Sequence, residues 1–456
     1  MAAQALRIVI VSWHFPPSQE IGGKVVWRLA KHLALLGCDV RVLVAPLSEV
    51  PYTDPEYASV LPEGLRVIRT SVDSDVLGNL YRSVKKLLTF RKAAPTAPSS
   101  EPEQPPITGR GLRDYIRRLL AFGRYDRWIK PAGRELRATL AEQPADLVMS
   151  VSPAFQAHLA VLRVRSQLKD IPWYVWMHDP GNHHMIETGA ITSVLVGRHG
   201  VGRFLARRRA VTERRAIESA TRMVVTSHRL ADDYVKLLPQ LRTPILVPCG
   251  FDAEESQCSA QPGSKLVLVY VGTIYASQTP RPIVESLARL RAAGVYTADE
   301  VEVKFVGRLE NEEGKQLKSV IEELGMDDVI TSSPQVPHAD ALRFVASASV
   351  GIAMAEQLPT QIPAKMYEYI ALRRPVLALA DDGVTRDLVI ENRLGYVCDR
   401  QGLDEALTAL IAQWRSDRLA VFDPALEAAA QRYDMANIAK DLLDEIRSDV
   451  AAASRH

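Results

Sequence analysis

Short, almost wholly apolar runs alternate with longer amphipathic stretches along most of this chain. The runs include Leu6–Ser12, Val40–Ala45, Leu65–Arg69, Asp146–Val151, Pro172–Met177, Met223–Thr226 and Ile245–Pro248. They are too short for helices and apolar at successive positions, so they read as strands buried on both faces. Amphipathic stretches between them, such as Lys24–Leu36, Ala154–Gln167 and Arg203–Ser219, read as helices that cover such a sheet. A polar, Pro- and Gly-bearing segment follows, with the linker at about Phe251–Lys265. The alternation then starts again: strands at Leu266–Val271, Val301–Val306, Val329–Thr331, Val350–Met354, Val376–Ala380 and Gly395–Val397, with helices such as Pro280–Ala293 and His338–Ser347 between them. The pattern predicts two α/β domains, each a doubly wound parallel sheet, over residues 1–250 and 266–420, with a helical tail over 421–456. A chain of 456 residues is too long for one ordinary core, which agrees.

One region breaks the alternation. Tyr81–Lys92 and Gly109–Lys130 are basic and amphipathic, and the Pro-rich run Ala93–Pro106 between them reads as disordered. The stretch 81–130 is therefore an insertion in the first domain. Its basic faces fit either solvent or an anionic membrane surface. Elsewhere the 56 basic residues nearly balance the 54 acidic ones, which removes support for bulk nucleic-acid binding. The four cysteines are scattered with no C-x-x-C pair, arguing against a zinc knuckle or disulfide framework and fitting a reducing cytosol. No apolar run is long enough to span a bilayer, and the first residues read as a strand and not as a signal segment.

Open α/β sheets bind ligands at the carboxyl ends of their strands. Gly22-Gly23 sits where the first loop enters its helix. It fits an ordinary tight turn, or a close approach of backbone to a phosphate or sugar. His178 and Asp179 end the strand Pro172–Met177, and Gly272-Thr273 end Leu266–Val271. The segment Ile362–Val376, IPAKMYEYIALRRPV, is the most informative. Pro363 suits a first helical turn, Lys365 and Glu368 share a face, and Pro375 precedes a buried strand. A surface ion pair and an anion-binding helix start are both open readings of it.

These segments together, WHFPP…GG, HDP, VPCGFD, LVLVYVGTIY and above all IPAKMYEYIALRRPVLALA, resemble bacterial glycosyltransferases of the retaining family-four (group 1) type. The resemblance runs from about Leu6 to Arg400. It implies a GT-B fold: two Rossmann-like domains facing across a cleft, acceptor on the first, nucleotide-diphosphate sugar on the second, and a last helix crossing back. It implies no resident cofactor or metal, with the nucleotide sugar as co-substrate. Gly22, Gly23, Gly272, Thr273, Gln361, Ile362, Pro363 and Lys365 would hold the donor and Glu368 its ribose; Arg281 is a candidate replacement charge. His178 and Asp179 would be catalytic, and Trp13 and His14 would face the acceptor. The acceptor classes it leaves open are a glycan, a lipid-linked sugar or a small molecule, in cell-surface polysaccharide synthesis or elsewhere; it implies a cytoplasmic enzyme, free or peripheral at the inner face of the plasma membrane.

The chain departs from that family's pattern at three places. Thr360 stands where a glutamate is expected, with Glu356 too far upstream to replace it in register. Thr273 stands for an arginine, and Arg373 for a glycine. These departures motivate an alternative, a GT-B scaffold or partner subunit that binds nucleotide without transfer. Asp73-Ser74-Asp75 motivates a further one, a metal-dependent transferase.

Overall fold

The structure, a computed structural model, describes residues 5–50, 53–54, 57, 61–73, 125–168, 170–188, 200–258, 263–274, 278–309 and 312–453. The Pro-rich run, the basic stretches 81–92 and 110–124, and Ser74-Asp75 lie outside them.

The first domain is a parallel sheet of β1 (Arg7–Ser12), β2 (Asp39–Val44), β3 (Leu65–Arg69), β4 (Leu147–Val151), β5 (Trp173–Met177), β6 (Arg222–Val225) and β7 (Ile245–Leu246). Their order is β3-β2-β1-β4-β5-β6-β7. The second sheet holds β8 (Leu266–Val271), β9 (Val301–Val306), β10 (Ile330–Ser333), β11 (Val350–Met354), β12 (Val376–Leu379) and β13 (Gly395–Cys398), in the order β10-β9-β8-β11-β12-β13. Each order reverses beside its first strand, between β1 and β4 and between β8 and β11. That is where a doubly wound sheet opens a crevice. Ile8 pairs with Val40 on one side and Leu147 on the other, so β1 lies buried between neighbours and covered on both faces.

Local chemistry moved some boundaries. The sequence predicts a helix over Arg134–Ala141; in the structure it starts at Asp126 and runs to Glu142, straight through Pro131. Proline cannot donate to the carbonyl four residues back, which belongs to Arg127. That oxygen instead accepts the backbone N–H of Asp73 (3.1 Å), so the helix continues without an orphaned group. The helix foreseen from Ile362 starts at Lys365 and ends at Ala371. Pro363 lies in the turn ahead of it, its carbonyl accepting the N–H of Met366.

The chain's last three α-helices go to three places. Leu403–Arg415 packs Leu403, Leu407, Leu410 and Ile411 on the second sheet. Asp423–Tyr433 lies against helix Lys365–Ala371 through Leu426, Ala430 and Tyr433. Met435–Ala453 returns to the first domain, where Met435, Ile438, Leu442, Leu443 and Ile446 complete the core around β1, β2 and helix Ile21–Leu35. Its buried Asp449 accepts from Tyr174 Oη (2.6 Å) and pairs with Arg242 (3.0 Å) and Arg222 (3.5 Å). Ile446 is fully buried. Ile446→Ala should therefore cost about 3 kcal/mol, seen as a lower urea midpoint for the transition of the first domain. An unchanged midpoint would mean that this helix does not belong to that core.

Candidate active site

The floor of the cleft is bare backbone. Gly272 ends β8 with φ +114°, and its N–H donates to the carbonyl of Val306 (2.9 Å). Gly307, which ends β9, lies directly against it: a Cβ there would fall 2.0 Å from the Gly272 oxygen. No side chain fits between the two strand ends. Above them hangs Lys365, whose Nζ a Cβ on Gly272 would meet at 3.8 Å. The ammonium stands 3.6 Å over the ring of Tyr270, a cation–π contact. Tyr270 Oη in turn donates to the Thr273 carbonyl (2.8 Å). Lys365 makes no ion pair among the described residues. Burial lowers its pKa to about 7, with Glu368 opposing the shift.

Glu368 follows one turn later. Its carboxylate is 3.8 Å from His338 Nδ1, and both side chains are largely buried. Burial holds His338 at a pKa of about 3, so the ring is neutral and the contact is no ion pair. Its Nε2 has no hydrogen-bond partner among the described residues. The Tyr57 ring meets His338 edge-on at 6.0 Å, and Lys24 Nζ lies 5.0 Å from the Tyr57 ring. This line of groups joins the second domain at Glu368 to helix Ile21–Leu35 of the first.

The opposite wall belongs to the first domain. His178 is fixed through its backbone: its N–H donates to Ser152 Oγ (2.9 Å), and its carbonyl accepts from Thr226 Oγ1 (2.9 Å). The ring packs edge-on against Trp176 at 4.5 Å, with Nε2 unpartnered among the described residues. Burial holds it at a pKa of about 3, hence neutral. Gly22 abuts it: a Cβ there would be 2.8 Å from Pro153 Cδ and 3.8 Å from His178 Nδ1. Gly23 likewise presses on the backbone of His14 and Phe15. The glycine pair therefore serves a close approach within the protein itself, beside His178. Asp179, its carboxyl pushed up by burial, accepts from Gln361 Nε2 (2.5 Å) of the second domain. Ser227 Oγ donates to the carbonyl of Thr360 (2.6 Å). Arg229 forks onto Asp382 and Asp387 at 2.6–2.8 Å.

Residues 22–250 match the Glycosyl transferase 4-like domain, and residues 252–433 the Glycosyl transferases group 1 domain. The chain is a group 1 glycosyltransferase. A D-inositol 3-phosphate glycosyltransferase from Arthrobacter sp. (strain FB24) is 27% identical over 204 residues, 42% of this chain. That match spans 47%, about half, of the relative's length. Among solved structures, sucrose-phosphate synthase from Thermosynechococcus elongatus superposes with TM-score 0.65 at 16% identity, covering 98% of this chain and all of that one. Anabaena HepE, solved with UDP, gives TM-score 0.63 at 14% identity, covering 97% and 100%; its complex with UDP-glucose gives 0.61 at 13%, with the same coverage. These likenesses are of fold: the two-domain GT-B arrangement.

In this glycosyltransferase the residues singled out by sequence fall in unequal places. Gly272, Thr273, Lys365 and Glu368 gather at the second sheet's edge, and Gly22, His178 and Asp179 across from them. Gln361 joins the two walls, and its carbonyl accepts from Thr385 (3.3 Å). Three others make their contacts elsewhere among the described residues. Trp13 is a core residue, edge-on to Tyr125 and Trp128 at 4.6 and 5.4 Å and only 2% exposed, so it is no acceptor surface. Arg281 is half exposed and pairs with Glu285 on its own helix (3.2 Å). Ile362 packs at the back of the domain interface, lining a cavity of about 610 Å³ with Ser227, Tyr367 and Leu388; none of Lys365, Gly272 and His178 reaches it. His14 instead lines a cavity of about 300 Å³ with Tyr125, Pro153, Phe155, Arg209 and Glu213. Asp73 pairs with Arg134 (3.5 Å). His338 was missed in the sequence: His178 directly follows β5, but His338 comes five residues after β10, at the start of helix His338–Ser347.

Lys365 gives a test of the site's electrostatics that needs no ligand. Its folded pKa of about 7 lies below the ordinary unfolded value of about 10.4. Below pH 7 both states are charged, and the full cost of burying the charge is felt. From about pH 7 to pH 10 the unfolded chain binds more protons, so stability rises with pH. Lys365→Met should raise the melting temperature most at pH 6, and the gain should fade towards pH 10. A gain independent of pH would mean that Lys365 is not a depressed lysine.

Proposed function

We propose that this glycosyltransferase moves a sugar from a nucleotide-diphosphate sugar to an acceptor hydroxyl with retention of anomeric configuration. The observation that carries the reading is Lys365 poised over Gly272 with Glu368 one turn on. A lysine without a carboxylate partner, above a floor of bare backbone, suits a leaving diphosphate, whose charge grows as the glycosidic bond breaks. Glu368 suits the vicinal hydroxyls of a ribose, and HepE, of the same fold, binds UDP and UDP-glucose. The neutral His178, with Nε2 free and Gly22 beside it, would hydrogen-bond the transferred sugar or the incoming hydroxyl. In this reading attack comes from the leaving-group face. The diphosphate oxygen takes the acceptor proton, so the chain needs no separate general base and no metal.

The acceptor would enter on the first domain through the cavity beside His14. Aromatic walls at Tyr125 and Phe155 suit a sugar ring or an aglycone. A lipid-linked acceptor would place the enzyme at the cytoplasmic face of a membrane. The exposed arginines Arg207, Arg208, Arg214 and Arg215 of helix Gly200–Ser219 support that placement. No helix among the described residues is long and apolar enough to cross a bilayer.

A thermal-shift screen of UDP-, GDP-, ADP- and TDP-sugars identifies the donor, because a bound ligand raises the melting temperature by linkage. Turnover of that donor is then compared in Glu368→Ala. The expected result is one stabilising base family, turned over by the wild type and at least about 100-fold more slowly by the variant. No shift with any donor, or an unaffected variant, would overturn the assignment.

A further inference from the structure

Helix Ile21–Leu35 carries three long basic side chains toward the second half of the molecule, and they are not treated alike. Arg28 is buried against Glu255 (2.9 Å) and the carbonyl of Gly250. Lys31 pairs with Asp252 (2.8 Å) and Glu254 (2.6 Å). Lys24, one turn nearer the cleft, is only 9% exposed and has no ion pair among the described residues. Its contact is the Tyr57 ring at 5.0 Å. Burial lowers its pKa, and the charge that most opposes the shift is Glu368, across the cleft.

Its position along the donor path is informative. Two residues earlier, Gly22 lies beside the His178 ring, at the end proposed for the transferred sugar. The ammonium stands 5.0 Å from the Tyr57 ring, which meets His338 edge-on at 6.0 Å, and His338 lies 3.8 Å from Glu368, the end proposed for the ribose. A nucleotide sugar carries its diphosphate between those two ends. The facing wall holds Lys365, also without an ion pair, above Gly272. Thr273 leaves the second domain without the arginine that its resemblance would place there. Two buried lysines, one on each domain and neither in an ion pair among the described residues, are costly to keep charged unless an anion comes to them.

The geometry points to Lys24 as a specificity-determining residue: it binds the diphosphate of the donor from the first domain, opposite Lys365. This inference rests on the donor reading above and adds to it that the acceptor domain supplies one of the diphosphate's cations. The donor then contacts both walls at once.

The test is calorimetry on the full chain with UDP, GDP and ADP, followed by the monophosphate of whichever base binds. Variants Lys24→Gln, Lys24→Met and Lys24→Arg are compared with wild type. Lys24→Gln and Lys24→Met should weaken the diphosphate about 10-fold or more, as for loss of a charge-assisted hydrogen bond. They should weaken the monophosphate less than about 3-fold, and Lys24→Arg should restore most of the loss. The unliganded melting temperature should not fall in Lys24→Met, because a buried unpaired charge has been removed. Diphosphate affinity equal to wild type in both neutral variants, or equal losses for diphosphate and monophosphate, would overturn the inference and leave the donor reading intact. A wild type that binds none of the three diphosphates would overturn the donor reading itself.

Discussion

Two parallel sheets meet here carboxyl edge to carboxyl edge, and each edge has its own way of leaving room. At β8 and β9 the means is the back-to-back contact of Gly272 and Gly307, so close that a single methyl group would collide with backbone. That contact removes side chains from the floor and lets Lys365 stand over it. A lysine so placed has little choice of partner: the ring of Tyr270 below it, Glu368 beside it, and whatever anion arrives from above. The place of Lys365 in the cleft thus follows from backbone packing as much as from its own side chain.

The linker binds this edge to the other. Gly250, Asp252, Glu254 and Glu255 are tied to Arg28, Lys31 and His32 on helix Ile21–Leu35. Contacts to Lys31 and His32 hold the Asp252 carboxyl well below the usual range despite its burial. Gly250, at φ +54°, lies where a Cβ would strike Ile438 and the carbonyl of Tyr433, next to the junction of the last two helices. The crossing between domains, the return of the tail and the helix bearing Gly22 and Lys24 therefore meet at one place. A change of interdomain angle must pass through that helix, which touches the cleft at its first turn.

Much of this was legible in the sequence because parallel strands buried on both faces leave an unmistakable pattern. β1, β8 and β11 read directly from LRIVIVS, LVLVYV and VGIAM. The edge rule then brought out His178, Gly272 and the Lys365–Glu368 pair. What failed had physical reasons. Trp13 looked like a cleft residue because it follows a strand, but its indole turns into a cluster with Tyr125 and Trp128, contributed by a helix start more than a hundred residues away. Arg281 was judged by its place in the chain, while its guanidinium is satisfied four residues on, by Glu285. Helix Asp126–Glu142 was expected only over Arg134–Ala141; its first turns run through Pro131, and no local rule could know that the N–H of Asp73 would take the carbonyl of Arg127 freed there.

The departures at Thr360, Arg373 and Thr273 read differently once placed in three dimensions. Arg373 holds the left-handed conformation at φ +53°, a cost of about 1 kcal/mol for a residue with a Cβ. Its guanidinium donates to the Ala371 carbonyl (2.5 Å) and to Glu427 (2.9 Å), anchoring the helix end to the helix Asp423–Tyr433, which a glycine could not do. Thr360 is buried, and its carbonyl accepts from Ser227 while the next residue reaches Asp179. The segment that would carry a sugar-binding carboxylate is here an interdomain joint. A glutamate at 360 would have to place its charge within that joint, beside Asp179, whose carboxyl burial already pushes up. Under the proposed donor reading, recognition at the sugar end would fall to Gln361, to backbone groups and to the first-domain wall at His178, and sugar selectivity would depend on how closely the two domains are held together.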